Sequence, residues 1–544
     1  MKQRFVHNLE NDEMFGNRES SLLELGKSSR FAIAFFVSFA ITKLIGVAFT
    51  KIFTNTLSES EMGQYSIITA AIALVIGFSS FGFTSAVNRY AIKYKISKNL
   101  ETFKNFIFTG ILVYIIAEII VILAILIVFF VTGQGPWFLQ VENYIGTVLL
   151  IALIVFAQIF STVCYTIATS LQSSRYYSNI ILARVLLQIP FSIFAVIFFK
   201  MGLFGLIIGL ALAETVVAIY SIYKIIKDIG IGRFSFTEFK KIMTFSLPSY
   251  YVGNIWQGFN ILVLLLVNHF FPITGTETIA LYRYGALLVT NLILVAGNLI
   301  SMVYSPIIFR LFERGQHDRI QLVSQKILKM FLVTIIPLAI ALYAYSPLLI
   351  MFFTNSSYIL GYYIIPFLLG AVLFKYLHSI IAFGHVLYLK LYWNAIFVTI
   401  AFGAAFAVAW FVIPINALLG LGASFFVIRA VYSIGTMIIS QRYYKLNYDY
   451  VGLLKLFGIS IVSVGVGIIC YYFAFGFTGI YNVTISFSIT LVLFIFGILI
   501  TKQIKRDDIR FFTDLFKDYF KKFSKNKEKI DTIPETIEER IDLD

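Results

Sequence analysis

Fourteen stretches of this chain are runs of about 20 mostly apolar residues, the length a helix needs to span a bilayer. They fall at 30–53, 62–83, 105–131, 144–171, 179–200, 203–226, 243–271, 278–306, 328–353, 361–386, 391–412, 418–440, 456–476 and 482–501. Short polar clusters separate them. In lipid every backbone polar group must be satisfied within its own segment, so runs of this length predict helices rather than strands. The expectation is an all-α, polytopic membrane protein with 14 transmembrane helices. Span 1 follows a polar segment and precedes thirteen more spans, so a cleaved signal peptide is not expected.

The polar intervals set the orientation. Both termini and the alternate loops 84–104, 172–178, 223–242, 307–330, 387–390 and 441–455 carry most of the 43 Lys and Arg residues. The opposite loops hold almost none, apart from Lys200 at a helix end. Positive loops stay on the cytoplasmic side during insertion, which places both termini in the cytoplasm. The longest outer loop reads GQGPWFLQVEN at 133–143 and has no room for a folded outer domain.

A weak internal repeat divides the chain. Residues 202–221 read GLFGLIIGLALAETVVAIYS, and 414–433 read PINALLGLGASFFVIRAVYS. EMGQYSIITAAI at 61–72 similarly resembles TIALYRYGALLV at 278–289. The two pairs share nearly the same offset, six spans, so the halves start on the same side of the membrane. That predicts parallel repeats about an axis along the membrane normal. The expected units are a cytoplasmic segment 1–29, a lobe of helices 1–6 at 30–227, and a linker at 228–242. A lobe of helices 7–12 at 243–440, two further helices at 456–501 and a cytoplasmic tail at 502–544 follow. In the tail, Phe512, Leu515, Phe516, Tyr519 and Phe523 recur at helical spacing among Lys517, Lys521 and Lys522. That pattern suits a basic amphipathic helix on anionic lipid, or a solvated tail.

Composition excludes the soluble alternatives. Apolar residues make up 59% and charged residues 13%, with a mean hydropathy of +0.87. A soluble chain carries roughly 25% charged residues. The formal charge of +15 would suit nucleic acid in another context, but its position beside apolar spans assigns it to topology. Cys164 and Cys470 lie inside apolar runs, and none of the five histidines belongs to a zinc-type motif. No cofactor is expected.

Ionisable groups at membrane depth are costly and mark function by default. Lys43, Glu118, Arg184, Glu214, Arg283, Lys375 and Arg429 lie within spans. At 1.5 Å per residue, Lys43 is about 20 Å from the cytoplasmic end of its span, and Lys375 and Arg429 about 16 Å. Those depths are near the middle of a core about 30 Å thick. Glu118 or Glu214 can pair with Lys43 or Arg184, and Arg184 and Arg283 can snorkel toward the interfaces. No span of the second half contains an acidic residue, so Lys375 and Arg429 need water or an anionic ligand. Polar stripes recur at helical spacing. They are Lys43, Thr50 and Thr54; Asn254, Gln257 and Asn268; Lys375, His378 and His385; and Arg429, Ser433, Thr436 and Ser440. Each stripe must face protein or a water-filled cavity.

Several segments resemble one family. They are TKLIGVAFTKIFTNTLSESEMGQYSIITA with its Glu-x-Gly-x-Tyr ending, FSSFGFTSAVNRY, FSLPSYYVGN with its Leu-Pro, and IALYRYGALL followed by VYSPIIFRLFERGQ. To about residue 500 the chain resembles the Wzx-type oligosaccharide flippases. These form the polysaccharide-transport branch of the multidrug/oligosaccharidyl-lipid/polysaccharide (MOP) exporter superfamily. The resemblance implies two six-helix lobes around a cavity lined by helices 1, 2, 7 and 8, working by alternating access. It also implies that cavity cations meet the diphosphate of a polyprenyl-linked oligosaccharide. On this chain that role falls to Lys43 and Arg283, with Asn254 and Gln257 nearby. Lys375 and Arg429 lie on helices usually farther from the cavity.

The expected function is therefore flipping of a lipid-linked oligosaccharide, a polyprenyl-phosphate sugar, across the cytoplasmic membrane for polysaccharide or glycan assembly. The expected partners are that substrate, membrane lipids and a coupling ion, either proton or sodium. No intramembrane Asp marks a sodium site. Two alternatives stand beside it. A drug or cation exporter of the same superfamily should carry acidic groups toward its cavity. A membrane-embedded glycosyltransferase or ligase, the enzymatic alternative, wants paired acids near one face. The outer loops offer only Glu59, Glu61, Glu142 and Glu277, without such a pair.

Overall fold

The computed structural model describes residues 37–47, 49–96, 100–132, 144–170, 174–285, 315–388, 390–446, 450–469 and 480–500, with isolated positions between 286 and 314. Among them the chain is helical and contains no β-strand. The helices are α1 (Val37–Thr56), α2 (Glu59–Ser79), α3 (Phe83–Ile96), α4 (Leu100–Thr132), α5 (Tyr144–Ser170), α6 (Ser174–Ile193), α7 (Gly202–Asp228) and α8 (Phe236–Phe270). A helical segment at 275–285 follows. Then come α9 (His317–Ala344), α10 (Ser346–Phe353), α11 (Ile365–Ile381), α12 (Tyr392–Val412), α13 (Ala417–Tyr443), α14 (Tyr450–Ile469) and α15 (Ile480–Ile500).

Among the described residues, 11 helices are long and apolar enough to cross a membrane. They coincide with expected spans 1–7 and 9–12. Most of span 8 beyond 285 lies outside the described residues. Spans 13 and 14 correspond to α14 and α15, which stack on α9; there Phe494 packs against Val333 and Ile459. The segment 1–29, the loop 133–143 and the tail with its basic amphipathic pattern also lie outside the described residues.

Local chemistry sets several boundaries. Ser58 and Glu61 form a reciprocal capping box that starts α2 three residues before the expected span. The interval 84–104, expected as a loop, is largely the helix α3. Its face of Phe83, Ala86, Val87, Ala91 and Tyr94 is buried. The turn between α2 and α3 places Gly82 at φ 67°. A Cβ there would lie 2.8 Å from the Ser246 side chain, so only glycine fits both the turn and the approach of α8. Ser235 caps α8, which therefore begins inside the interval expected as linker. The remaining connection is docked rather than free. Arg233 N donates to Asn105 Oδ1 at 2.7 Å, and Ser235 N to Thr109 Oγ1 at 2.9 Å.

A similar packing order recurs in the two halves. α7 packs on α5 and α6, and α13 packs on α11 and α12. Glycines set both approaches: Gly209 lies against the Ser192 backbone and Gly420 against that of Ile413. The halves meet at the end that the basic pattern assigns to the outside. There Val47, Leu57 and Met62 share one buried cluster with Ala280, Tyr284 and Ile335. Lys51 Nζ donates to the Phe352 carbonyl at 2.9 Å, and Asn355 Nδ2 to the Thr54 carbonyl at 2.8 Å.

The orientation itself has a direct test. Reporter fusions at Gln134 and Thr276 are expected to read outside, and fusions at Lys98 and Arg233 inside. Swapped signals at either pair contradict the assignment.

Candidate functional site

The polar stripes separate into those that close on protein and those that do not. α11 and α13 zip together. His378 Nδ1 and Thr436 Oγ1 lie 2.7 Å apart, and Ser440 Oγ donates to the Ile381 carbonyl at 3.1 Å while accepting from Gly384 N at 2.6 Å. His385 Nε2 meets Asn394 Oδ1 at 2.9 Å. Both histidines therefore hold helices together. Asn254 and Gln257 sit where α8 crosses α2 at Gly77. Asn254 Nδ2 donates to the Tyr250 carbonyl at 3.0 Å, and a Cβ on Gly77 would lie 2.7 Å from Asn254 Oδ1. Among the described residues that buried oxygen has no hydrogen-bond partner.

The cations behave differently. Lys43 on α1, Arg283 on the 275–285 segment, Lys375 on α11 and Arg429 on α13 are all half-buried. Among the described residues none of the four is within salt-bridge distance of a carboxylate. They are electrostatic neighbours instead. Lys43 senses the charges of Arg283 and Arg184, and Lys375 those of Arg429 and Lys43. Side chains from both halves thus combine into one positive field. Repulsion among such groups in a low-dielectric setting favours an anion between them.

Aromatic rings hold the second-half cations. The Arg429 guanidinium lies 3.7 Å from the Trp256 ring centroid, and Trp256 meets Tyr432 edge-on at 5.6 Å. Such a cation–π contact contributes roughly 0.5–2 kcal/mol, the larger values when desolvated. Lys375 Nζ lies 5.1 Å from the Tyr376 ring centroid, and Lys43 Nζ 5.6 Å from that of Phe39. A shallow pocket of about 500 Å³ lies near Asn416 and Thr278, and none of these cations lines it.

The two intramembrane acids diverge. Glu214 is fully buried, pairs with Arg184 and accepts from Gln158 Nε2 at 2.8 Å. Glu118 is 1% exposed, and among the described residues neither of its oxygens has a hydrogen-bond partner. Of the pairings the sequence allowed, Arg184–Glu214 forms and leaves Lys43 without a carboxylate. The place of Arg184 near its expected helix end also allowed it to snorkel to the interface. Glu214, an acid near the middle of the next span and in need of a cation, was the signal that draws it inward.

No protein-family model matches the chain. An uncharacterized membrane protein of Methanocaldococcus jannaschii is 23% identical over 345 residues, which span 60% of this chain and 66% of that protein's length. Among solved structures, the lipid II flippase MurJ in an inward closed conformation superposes with a TM-score of 0.63 at 15% identity, covering 87% of this chain and 98% of that one. A multidrug resistance MATE family transporter of the MOP superfamily, in an inward-facing conformation, gives 0.55 at 14% identity, covering 76% and 97%. A MOP superfamily transporter from Pyrococcus furiosus gives 0.53 at 14% identity, covering 77% and 97%. At these identities the likeness establishes the fold, an all-helical one shared with membrane transporters.

Proposed function

We propose that this protein flips a lipid-linked oligosaccharide, a polyprenyl-phosphate sugar, across the cytoplasmic membrane by alternating access, for glycan or polysaccharide assembly. One observation carries the reading: Lys43, Arg283, Lys375 and Arg429 are half-buried, come from both halves, and among the described residues none is within salt-bridge distance of a carboxylate. An anionic headgroup supplies the missing charge. A cation near mid-membrane without a carboxylate costs at least about 2.5–3.5 kcal/mol on insertion scales, so Lys43, Lys375 and Arg429 call for water or an anionic ligand.

In this reading the diphosphate meets Lys43 and Arg283. The sugars extend toward Lys375, Arg429 and Trp256, with Asn254 and Gln257 at the wall between. The two lobes, 30–227 and 243–440, rock about the site. Contacts such as Ser60 with Thr276 close the outer end while the headgroup enters from the cytoplasm. Both termini lie in the cytoplasm, and a proton or sodium gradient is the candidate driving force.

Fold likeness supports a carrier in general, because MurJ is a lipid II flippase and the MATE neighbours are multidrug transporters. The sign of the field favours the lipid over an organic cation. Proteoliposomes containing the purified protein should therefore show no proton- or sodium-driven movement of ethidium, a lipophilic cation. Robust ethidium transport would support the exporter alternative.

A further inference from the structure

We infer that Arg184 is a third phosphate-facing cation of this site, held in position by Glu214 and Gln158. The inference rests on the lipid-diphosphate reading above and adds a residue and its support.

The pair Arg184–Glu214 is asymmetric. The Glu214 side chain has 0% exposure, whereas that of Arg184 has 41%. A purely cohesive ion pair in a membrane protein is best hidden at both ends, and apolar residues of equal volume often replace one without loss. Here only the anchor is hidden. A guanidinium has five N–H donors in a fixed fork, and among the described residues Glu214 is the one acidic group within reach of it. The rest of the fork is open. Its face of α6 is the one that meets α2, because Gln188, one turn on, contacts Tyr65 there, and Lys43 is an electrostatic neighbour.

The support extends beyond the carboxylate. Gln158 on α5 donates to the same Glu214 oxygen that Arg184 contacts, so α5, α6 and α7 converge on one atom. One turn further along α6, Gln188 Nε2 donates to Tyr65 Oη at 3.3 Å, tying α6 to α2. Arg184 is thereby restrained from two sides and need not be ordered by the ligand. Preorganised donors of this kind bind an anion without that ordering cost. Lys43, Arg184 and Arg283 against Glu214 leave two net positive charges, which matches the two negative charges of a diphosphate diester.

The test uses farnesyl diphosphate titrated calorimetrically into the purified full chain in neutral detergent. The double variant Arg184→Gln/Glu214→Gln leaves the net charge unchanged and orphans no buried charge. It is expected to weaken binding about tenfold, the size of a lost charge-assisted hydrogen bond. Arg184→Lys should fall between it and wild type, because a point charge replaces the fork. Glu214→Met discriminates most sharply. It makes the site more positive, so simple attraction would tighten binding, whereas loss of the anchor should weaken it. Wild-type affinity in the double variant, or unchanged or tighter binding in a folded Glu214→Met protein, overturns the inference. Lys43→Ala in the same titration separates the two levels. If it loses binding while the Arg184 variants do not, the lipid-diphosphate reading stands and Arg184 is removed from it. If wild type does not bind the probe, both fall.

Discussion

Lys43→Ala is expected to abolish translocation of the lipid-linked sugar while the protein still inserts and folds, and Lys43→Arg to retain part of the activity. The lysine is half-buried on α1, senses two other cations and has no carboxylate within salt-bridge distance among the described residues. A cation kept there for structure alone would be relieved by its removal, so the alanine variant would be at least as stable and equally active. A cation that binds a headgroup gives charge-assisted hydrogen bonds to phosphate oxygens. Its loss removes them from the bound state and leaves the empty protein unharmed or more stable. The transport rate separates the two, and thermal unfolding of the detergent-solubilised variant shows that it still folds. Normal flipping by a well-folded Lys43→Ala protein takes this residue out of the site. Recovery of transport in Lys43→Ala/Glu118→Gln would reduce the lysine to the partner of a carboxylate.

Gly63→Leu is expected to remove transport by a different route, by wedging the outer end open. Gly63 on α2 faces the backbone of Thr276, and a Cβ at Gly63 would lie 1.8 Å from the Thr276 carbonyl oxygen. Beside it Ser60 Oγ and Thr276 Oγ1 lie 3.0 Å apart, and Tyr284 Oη donates to Met62 Sδ at 3.7 Å. No rotamer change relieves a clash with backbone, so the two elements must separate. Overpacking of this kind costs about 1–3 kcal/mol. Charged to the closed state alone, that shifts the closed-to-open ratio roughly 5- to 150-fold. Thr276 is 2% exposed. A cysteine placed there should label slowly with a membrane-impermeant maleimide in an otherwise wild-type protein, and quickly when Gly63→Leu is added. Unchanged labelling and unchanged transport in the glycine variant would show that this contact does not gate the protein.

The helical architecture was legible because a membrane allows few backbone solutions. Runs of apolar residues gave spans 1–7 and 9–12 to within a turn or two at most ends. The errors came where short-range chemistry or a distant partner decided. α3 is helical because Phe83, Ala86, Val87, Ala91 and Tyr94 bury one face, while the lysines among them make its sequence look like a loop. α8 starts early because Ser235 caps it, which a hydropathy window ignores. At the candidate site, the cations were visible as residue types at depth, but their company was not. Nothing local tells that Lys43, Lys375 and Arg429 share a field, because α1, α11 and α13 are far apart in sequence. Arg184 lay closer to the expected helix end than to its middle, so distance along the chain pointed it outward. Its partner Glu214, one span later, pulls it in. The stripe of His378, His385, Thr436 and Ser440 looked as suited to a cavity as the cations did. Only the packing of the helices shows that His378 meets Thr436, that Ser440 meets the Gly384 backbone, and that His385 turns to Asn394 of α12.

The central claim, that this protein flips lipid-linked sugar, is tested most directly with the purified full chain in proteoliposomes. The vesicles carry a polyprenyl-diphosphate oligosaccharide bearing a fluorophore on its sugar, distributed over both leaflets. Dithionite, which does not cross the bilayer, bleaches the outer leaflet only. With the wild-type protein under an imposed proton or sodium gradient, bleaching should proceed past half toward completion as inner-leaflet lipid is delivered outward. Lys43→Ala vesicles should stop at half. Bleaching that stops at half with folded wild-type protein, under either gradient, contradicts the account.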